Sequence, residues 1–166
     1  MVARHRVPSG TTVGDMPSFS NSRSVAIPAS ADAIHPLIND FREWQRWSPW
    51  EGLDPALRRT YSGPESGVGA TYEWAGNSKA GAGTMTIVSS DASRIVVDLL
   101  FTAPFTAKNV ATFELTPEGT GTRVTWTMSG SRNLLMSIGG MLYFDKAIGK
   151  DFQRGLDALA EAVRQG

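Results

Sequence analysis

MLYFDKAIGKDFQRGLDALAEAVRQ, residues Met141–Gln165, is the stretch on which the fold turns. Its large apolar residues are Met141, Phe144, Ile148, Phe152, Leu156, Leu159 and Val163, separated by steps of three or four. That spacing puts them on one stripe of an α-helix. Lys146, Lys150, Arg154, Asp157, Glu161 and Arg164 take the opposite face. Asp151 with Arg154, and Glu161 with Arg164, can pair on the surface for a few tenths of a kcal/mol each. At ~1.5 Å per residue the helix is roughly 35 Å long, enough to cross a small domain. Such a helix needs an apolar surface to lie on, and the chain before it reads mostly as strands.

Period-two alternation marks strands at 57–62, 70–74, 83–89, 94–102, 106–116 and 122–130. The links between them are short and turn-like, among them Gly63-Pro64, DAS, the Ala103-Pro104 break and PEGTG. Short links force antiparallel neighbours. One side of each later strand is apolar. In 94–102 it carries Ile95, Val97, Leu99 and Phe101, with Asp98 pointing away. In 106–116 it carries Ala107, Asn109, Ala111, Phe113 and Leu115, and Val110 is the exception on the other side. In 122–130 it carries Val124, Trp126 and Met128. A sheet with one greasy face and one wet face is covered on one side only.

Nearer the N-terminus, 20–28 reads as a further strand ended by Pro28. Ser30 is a candidate N-cap for a short helix reaching about Asp40. Pro36 falls inside it, so the helix either kinks or begins later. A second short helix is expected over 41–47, stopped before Pro49.

The chain has 166 residues, the length of one domain, and no cysteine. Disulfides, thiol nucleophiles and thiolate metal sites are excluded, and a reducing, cytoplasmic setting fits. Sixteen acids balance sixteen lysines and arginines, and no basic stripe stands out, so nucleic-acid binding has no support. No stretch approaches the ~20 apolar residues of a membrane span. Residues 1–17 are rich in Gly, Pro, Ser and Thr and read as a loose tail before one domain over 18–166. Basic residues with no apolar segment behind them argue against a secretory signal, and Met16 competes with Met1 as a start.

The order is therefore strand, two short helices, six strands, long helix. It resembles the helix-grip fold of the START-like (SRPBCC) superfamily. That group includes birch-pollen-allergen-type proteins, lipid-transfer domains and bacterial polyketide cyclases. RSVAIPASADAIHPLINDFREWQRWSPW looks like the superfamily's opening. GPESGVGATYEWAGN, TRVTWTMSG and DKAIGKDFQRGLDAL resemble its polyketide cyclase/dehydrase-like bacterial branch. The resemblance covers 20–165. It implies an α+β helix-grip fold, with a seven-stranded curved antiparallel sheet around the C-terminal helix and two short helices after the first strand. It implies a hollow that binds a small hydrophobic or amphipathic molecule. A cyclase or dehydratase using the same hollow, or an interaction module like the Hsp90 activators, is the alternative, because one scaffold hosts all three.

Trp47, Tyr72, Trp74, Met85, Phe101, Phe113, Trp126, Met128, Met136, Met141 and Phe144 are the candidate lining. Rings and thioethers accept varied apolar shapes. Spacing does not separate a cavity wall from a filled core; the resemblance implies the wall. Asn109 is the one polar side chain on the apolar face, and a buried amide needs a partner. A ligand carbonyl or hydroxyl would serve, as would a backbone group near Pro104. Asn109 and the tyrosines would set a ligand's orientation. Of the charged residues near the expected mouth, Asp98 and Glu114 face solvent by alternation, and Arg58, Arg59 and Lys79 read as a solvated face. Glu73 is unplaced, since the inward side of its strand is open. His5 and His35 have no Ser, Asp or second His in triad or metal spacing, so no metal or cofactor is expected. GNSKAGAG lacks the spacing and context of a phosphate loop. Gly149 and Gly155 fit a helix gripped closely by a sheet. Gly139-Gly140 marks either the helix start or a flap, with 133–144 a candidate lid or protein contact.

Overall fold

The computed structural model describes residues 18–104, 106–131 and 141–166, with Ser18, Ser131 and 141–148 described in backbone only. The expected tail, residues 133–140 of the lid or contact segment, the Gly139-Gly140 pair and Met136 lie outside the described residues. So do the side chains of Met141 and Phe144, and 141–144 are the backbone of a helix start.

Seven strands form one open antiparallel sheet. They are β1 (Ser18–Ile27), β2 (Arg58–Ser62), β3 (Thr71–Ala75), β4 (Ala82–Asp91), β5 (Arg94–Ala103), β6 (Ala107–Glu118) and β7 (Gly121–Ser131). Their order in space is β1-β7-β6-β5-β4-β3-β2. Only the β1–β7 pairing joins strands distant in sequence; the rest is a meander. Helix α1 (Ala31–Asn39) and a 3-10 turn (Glu43–Arg46) intervene between β1 and β2. Helix α2 spans Met141–Gln165, the span read from the periodicity, and packs on β1, β7 and α1. Both of its expected surface pairs form, Arg154–Asp151 at 3.2 Å and Arg164–Glu161 at 3.3 Å.

The alternation sorts the faces as expected. Ile95, Val97, Leu99, Ala111, Phe113, Leu115, Val124, Trp126 and Met128 are buried on the inner face. Val110 sits half-buried on the outer face between Asp98 and Ser129. The second helical segment is a single 3-10 turn, shorter than its expected span. Pro36 stays inside α1. Its missing N–H leaves the Asp32 carbonyl without its helical donor, on the exposed side of the helix.

The far end of α1 is buried, and there the protein supplies donors. Trp47 Nε1 donates to the Leu37 carbonyl at 2.8 Å and Trp44 Nε1 to that of Ile38 at 2.8 Å. The Gly67 amide donates to the Asn39 carbonyl at 3.0 Å. The two indoles thereby finish the helix and become the floor of the core.

Trp126 is the centre of that core. Phe152 of α2 stacks on it at 4.2 Å and 8°, and Phe113 lies beside it at 5.0 Å and 26°. Trp44, Trp47 and Trp50 meet it edge-on.

The helix glycines divide by what they face. A Cβ on Gly155 would come within 2.8 Å of the Pro49 ring and 3.1 Å of the Trp126 ring, both fixed. The nearest atoms to a Cβ on Gly149 would be those of the Arg23 guanidinium, the far end of an exposed, flexible chain. Gly149→Ala should therefore stabilise by about 0.5–1 kcal/mol through helix propensity. Gly155→Ala should destabilise by about 1 kcal/mol, overpacking of 1–3 kcal/mol outweighing the same gain. Urea unfolding of the two variants checks the opposite signs.

Candidate ligand-binding site

The sheet ends over which the chain leaves β7 carry a different inner face from the aromatic core. One rung of facing residues runs Tyr61, Tyr72, Met85, Leu99, Asn109 and Gly130 across β2, β3, β4, β5, β6 and β7. The next runs Arg59, Trp74, Gly83, Phe101 and Ala107. Five of the expected lining residues, Tyr72, Trp74, Met85, Phe101 and Asn109, are thus gathered in two rungs. Trp47, Phe113 and Trp126 are gathered elsewhere, in the packed cluster around Phe152. Met128, opposite Ala111, lies on the rung between the two groups.

Trp74 is held as a fixed wall. Its ring lies over Gly83, where a Cβ would collide with it, and its Nε1 donates to the Ala80 carbonyl at 3.0 Å. Tyr72 stacks against it at 6.1 Å and 15°, and Phe101 meets its edge at 5.7 Å.

Asn109 is 8% exposed, and among the described residues its side chain makes no hydrogen bond. Among the described residues no backbone group near Pro104 partners it. Its carboxamide oxygen lies against Gly130, where any Cβ would collide with it. The pair is complementary: the amide can lie across β7 because the facing position has no side chain.

At the other end of the rung stands a charged network. Strand β2 alternates exposed and half-buried residues, and Arg59 and Tyr61 take the inward positions. The Arg59 guanidinium pairs with Glu51, which comes from the loop after the 3-10 turn. Their side chains are 28% and 14% exposed. Tyr72 donates its hydroxyl to Glu51 at 3.5 Å. Arg59 Nε is sealed from solvent with no acceptor. Tyr61 is engaged from outside, its hydroxyl accepting from Gln45 at 2.9 Å and its ring lying under Arg42 at 4.7 Å.

Burial, and then the Glu51 charge, push the Tyr72 hydroxyl above the usual tyrosine value. Folding therefore holds a proton that the unfolded chain releases near pH 10, and the stability tied to it is complete below that pH and is lost as pH climbs above it. In an alkaline titration followed by tyrosinate absorbance, Tyr72→Phe should remove a late step that coincides with unfolding.

Of the charged residues expected to be solvated, Glu73, Asp98, Glu114, Arg58 and Lys79 are exposed. Glu73 is thereby placed on the outer side of β3, away from Tyr72. Arg59 is the exception; its strand's alternation with Leu57 and Tyr61 was the available signal. Glu51 was missed, because nothing in a loop carboxylate marks the cation it will meet. His35 hydrogen-bonds the Asp91 carbonyl at 2.9 Å, a structural role. Among the described residues no group of acids and histidines could hold a metal ion, and no helix is long and apolar enough to cross a membrane. A small cavity of about 10 Å³, room for about one water, lies beside the Tyr61 end of the rung, lined by Phe41, Arg42, Tyr61, Pro64 and Ala70.

A one-sided antiparallel sheet with a long C-terminal helix across its apolar face defines a helix-grip protein, as the START-like resemblance implied. Residues 18–164 match the family described as polyketide cyclase / dehydrase and lipid transport, and the chain belongs to that family. No curated protein matches it. Among solved structures it is similar to a Thermobifida fusca protein, with 24% identity, TM-score 0.63 and coverage of 88% of this chain and 93% of that one. Ara h 8.0201 superposes with TM-score 0.64 at 11% identity, covering 90% and 99%. The Aha1 protein of Colwellia psychrerythraea, solved as a dimer, gives TM-score 0.59 at 16% identity, covering 86% and 96%. At these identities the likeness is one of fold.

Proposed function

We propose that this protein binds a small hydrophobic or amphipathic molecule non-covalently against the inner face of the sheet, at the end marked by Asn109, Leu99, Met85, Tyr72, Trp74 and Phe101. The observation that carries this is Asn109. Its side chain lies on the inner face with no hydrogen-bond partner among the described residues, and its amide is not among the groups sealed from solvent, so it is open to a ligand carbonyl or hydroxyl worth about one hydrogen bond. Around it the face offers only apolar and aromatic surface, worth ~25 cal/mol per Å² of ligand area covered. Family membership supports the reading, since the family's description includes lipid transport.

Native mass spectrometry of the purified chain should show a retained small molecule. Asn109→Leu, which keeps the volume and removes the amide, should weaken its binding about fivefold, the worth of one hydrogen bond. A wild-type chain that retains nothing and takes up no apolar probe would end this reading.

A further inference from the structure

The two polar ends of the Asn109 rung define what kind of molecule fits between them, given the binding reading above. Asn109 stands on β6 and Tyr72 on β3, three strand steps apart, so about 14 Å separates them at the usual strand spacing. Leu99 and Met85 fill the rung between them, and Trp74 and Phe101 flank it on the next. No polar side chain intervenes on the inner face of these two rungs. The middle of an occupant must therefore be apolar.

The Tyr72 end is rich in donors and already balanced in charge. Arg59 Nε–H is buried without an acceptor, and the Tyr72 hydroxyl makes a long bond to Glu51 and lies within reach of the Arg59 guanidinium. The Nε–H suits an oxygen acceptor, and the Tyr72 oxygen, its proton given to Glu51, can accept from a ligand hydroxyl. A carboxylate or phosphate is a poor fit, because Glu51 already neutralises Arg59 and a second anion would sit beside it in a poorly solvated place. At the Asn109 end the only polar group is a neutral amide. On the inner face of the two rungs neither end offers a free charge; Arg42 lies over Tyr61 from outside.

We infer that the ligand is an uncharged, elongated molecule with a hydrogen-bonding oxygen at each end and an apolar middle that spans the distance from Asn109 to Tyr72. Fatty acids and phospholipids of similar length are disfavoured by Glu51. Glu51 thus acts as the specificity residue, through the charge it cancels on Arg59.

Titration calorimetry of the full chain with decane-1,10-diol, decan-1-ol and decanoate tests this. The diol should bind about fivefold tighter than the mono-alcohol, one added hydrogen bond, and decanoate should bind weakest. Asn109→Leu and Tyr72→Phe should each bring the diol to the level of the mono-alcohol. Glu51→Gln, which uncovers the Arg59 charge, should raise decanoate above decan-1-ol. Decanoate binding tightest to the wild type, or diol and mono-alcohol binding alike, would overturn the inference. So would failure of all three while native mass spectrometry still finds a retained molecule, an outcome that leaves the binding reading standing. Failure of all three with nothing retained removes both. If circular dichroism shows Glu51→Gln unfolded, the wild-type order of the three ligands decides alone.

Discussion

Trp126→Ala should lower the unfolding free energy by about 3–5 kcal/mol, a large part of the 5–15 kcal/mol that holds a typical domain together. Trp126 is 1% exposed and in ring contact with Phe113, Phe152, Trp44, Trp47 and Trp50. Deleting its indole opens a cavity between sheet and α2 whose walls cannot collapse. Trp44 and Trp47 are pinned by their bonds to α1, and Phe152 by the helix it rides on. Trp126→Phe is the informative companion. Trp126 Nε1 is sealed from solvent and has no acceptor, so the native indole carries a penalty of about 1–3 kcal/mol that a phenyl ring does not. A phenyl keeps the stack on Phe152 and loses some volume. The two effects oppose, and Trp126→Phe should cost no more than about 1 kcal/mol. Guanidinium unfolding of both variants measures the difference. Equal losses would mean that the indole N–H is satisfied after all.

The same residues show what could be read from the chain in advance. The α2 stripe and the alternation in β5, β6 and β7 are local periodicities, and local periodicity survives into the structure because it records which side is buried. Those patterns placed Trp126, Phe113 and Asn109 on the inner face. They did not show that Trp126 and Phe113 pack with Phe152 into a filled cluster, while Tyr72 and Asn109 share a rung at the other end. That division depends on strand register, which brings residue 72 across from 85, 85 from 99, and 99 from 109. Register across three hairpins is a sum of turn lengths and one bulge between Ile87 and Ser89, and no single segment contains it. The Arg59–Glu51 pair was illegible for a related reason. Arg59 has an inward position only by virtue of its short edge strand, and Glu51 reaches it from an irregular loop with no period to read.

That pair gives the second large effect. Glu51→Ala should destabilise the fold by about 2–3 kcal/mol, somewhat under the 3–5 kcal/mol of a fully buried pair, because Arg59 keeps a quarter of its surface in water. The loss arises from what is left behind. Glu51's bond to Arg59 holds the guanidinium firmly protonated, and without it the charge remains among Trp74, Tyr61 and Tyr72 with no anion near it. If that account is right, removing the cation as well should restore most of the loss. Glu51→Leu combined with Arg59→Met replaces two desolvated charges by apolar groups of similar size, and should come within about 1 kcal/mol of wild type. A double-mutant cycle by urea denaturation separates the terms: a coupling of about 2 kcal/mol means a stranded charge, whereas additive losses mean that Glu51 matters only for the loop's own packing. The cycle also bears on binding. A stable double variant would keep the apolar middle of the site while erasing the donors beyond Tyr72, and the preference for a second oxygen in the ligand should vanish with them.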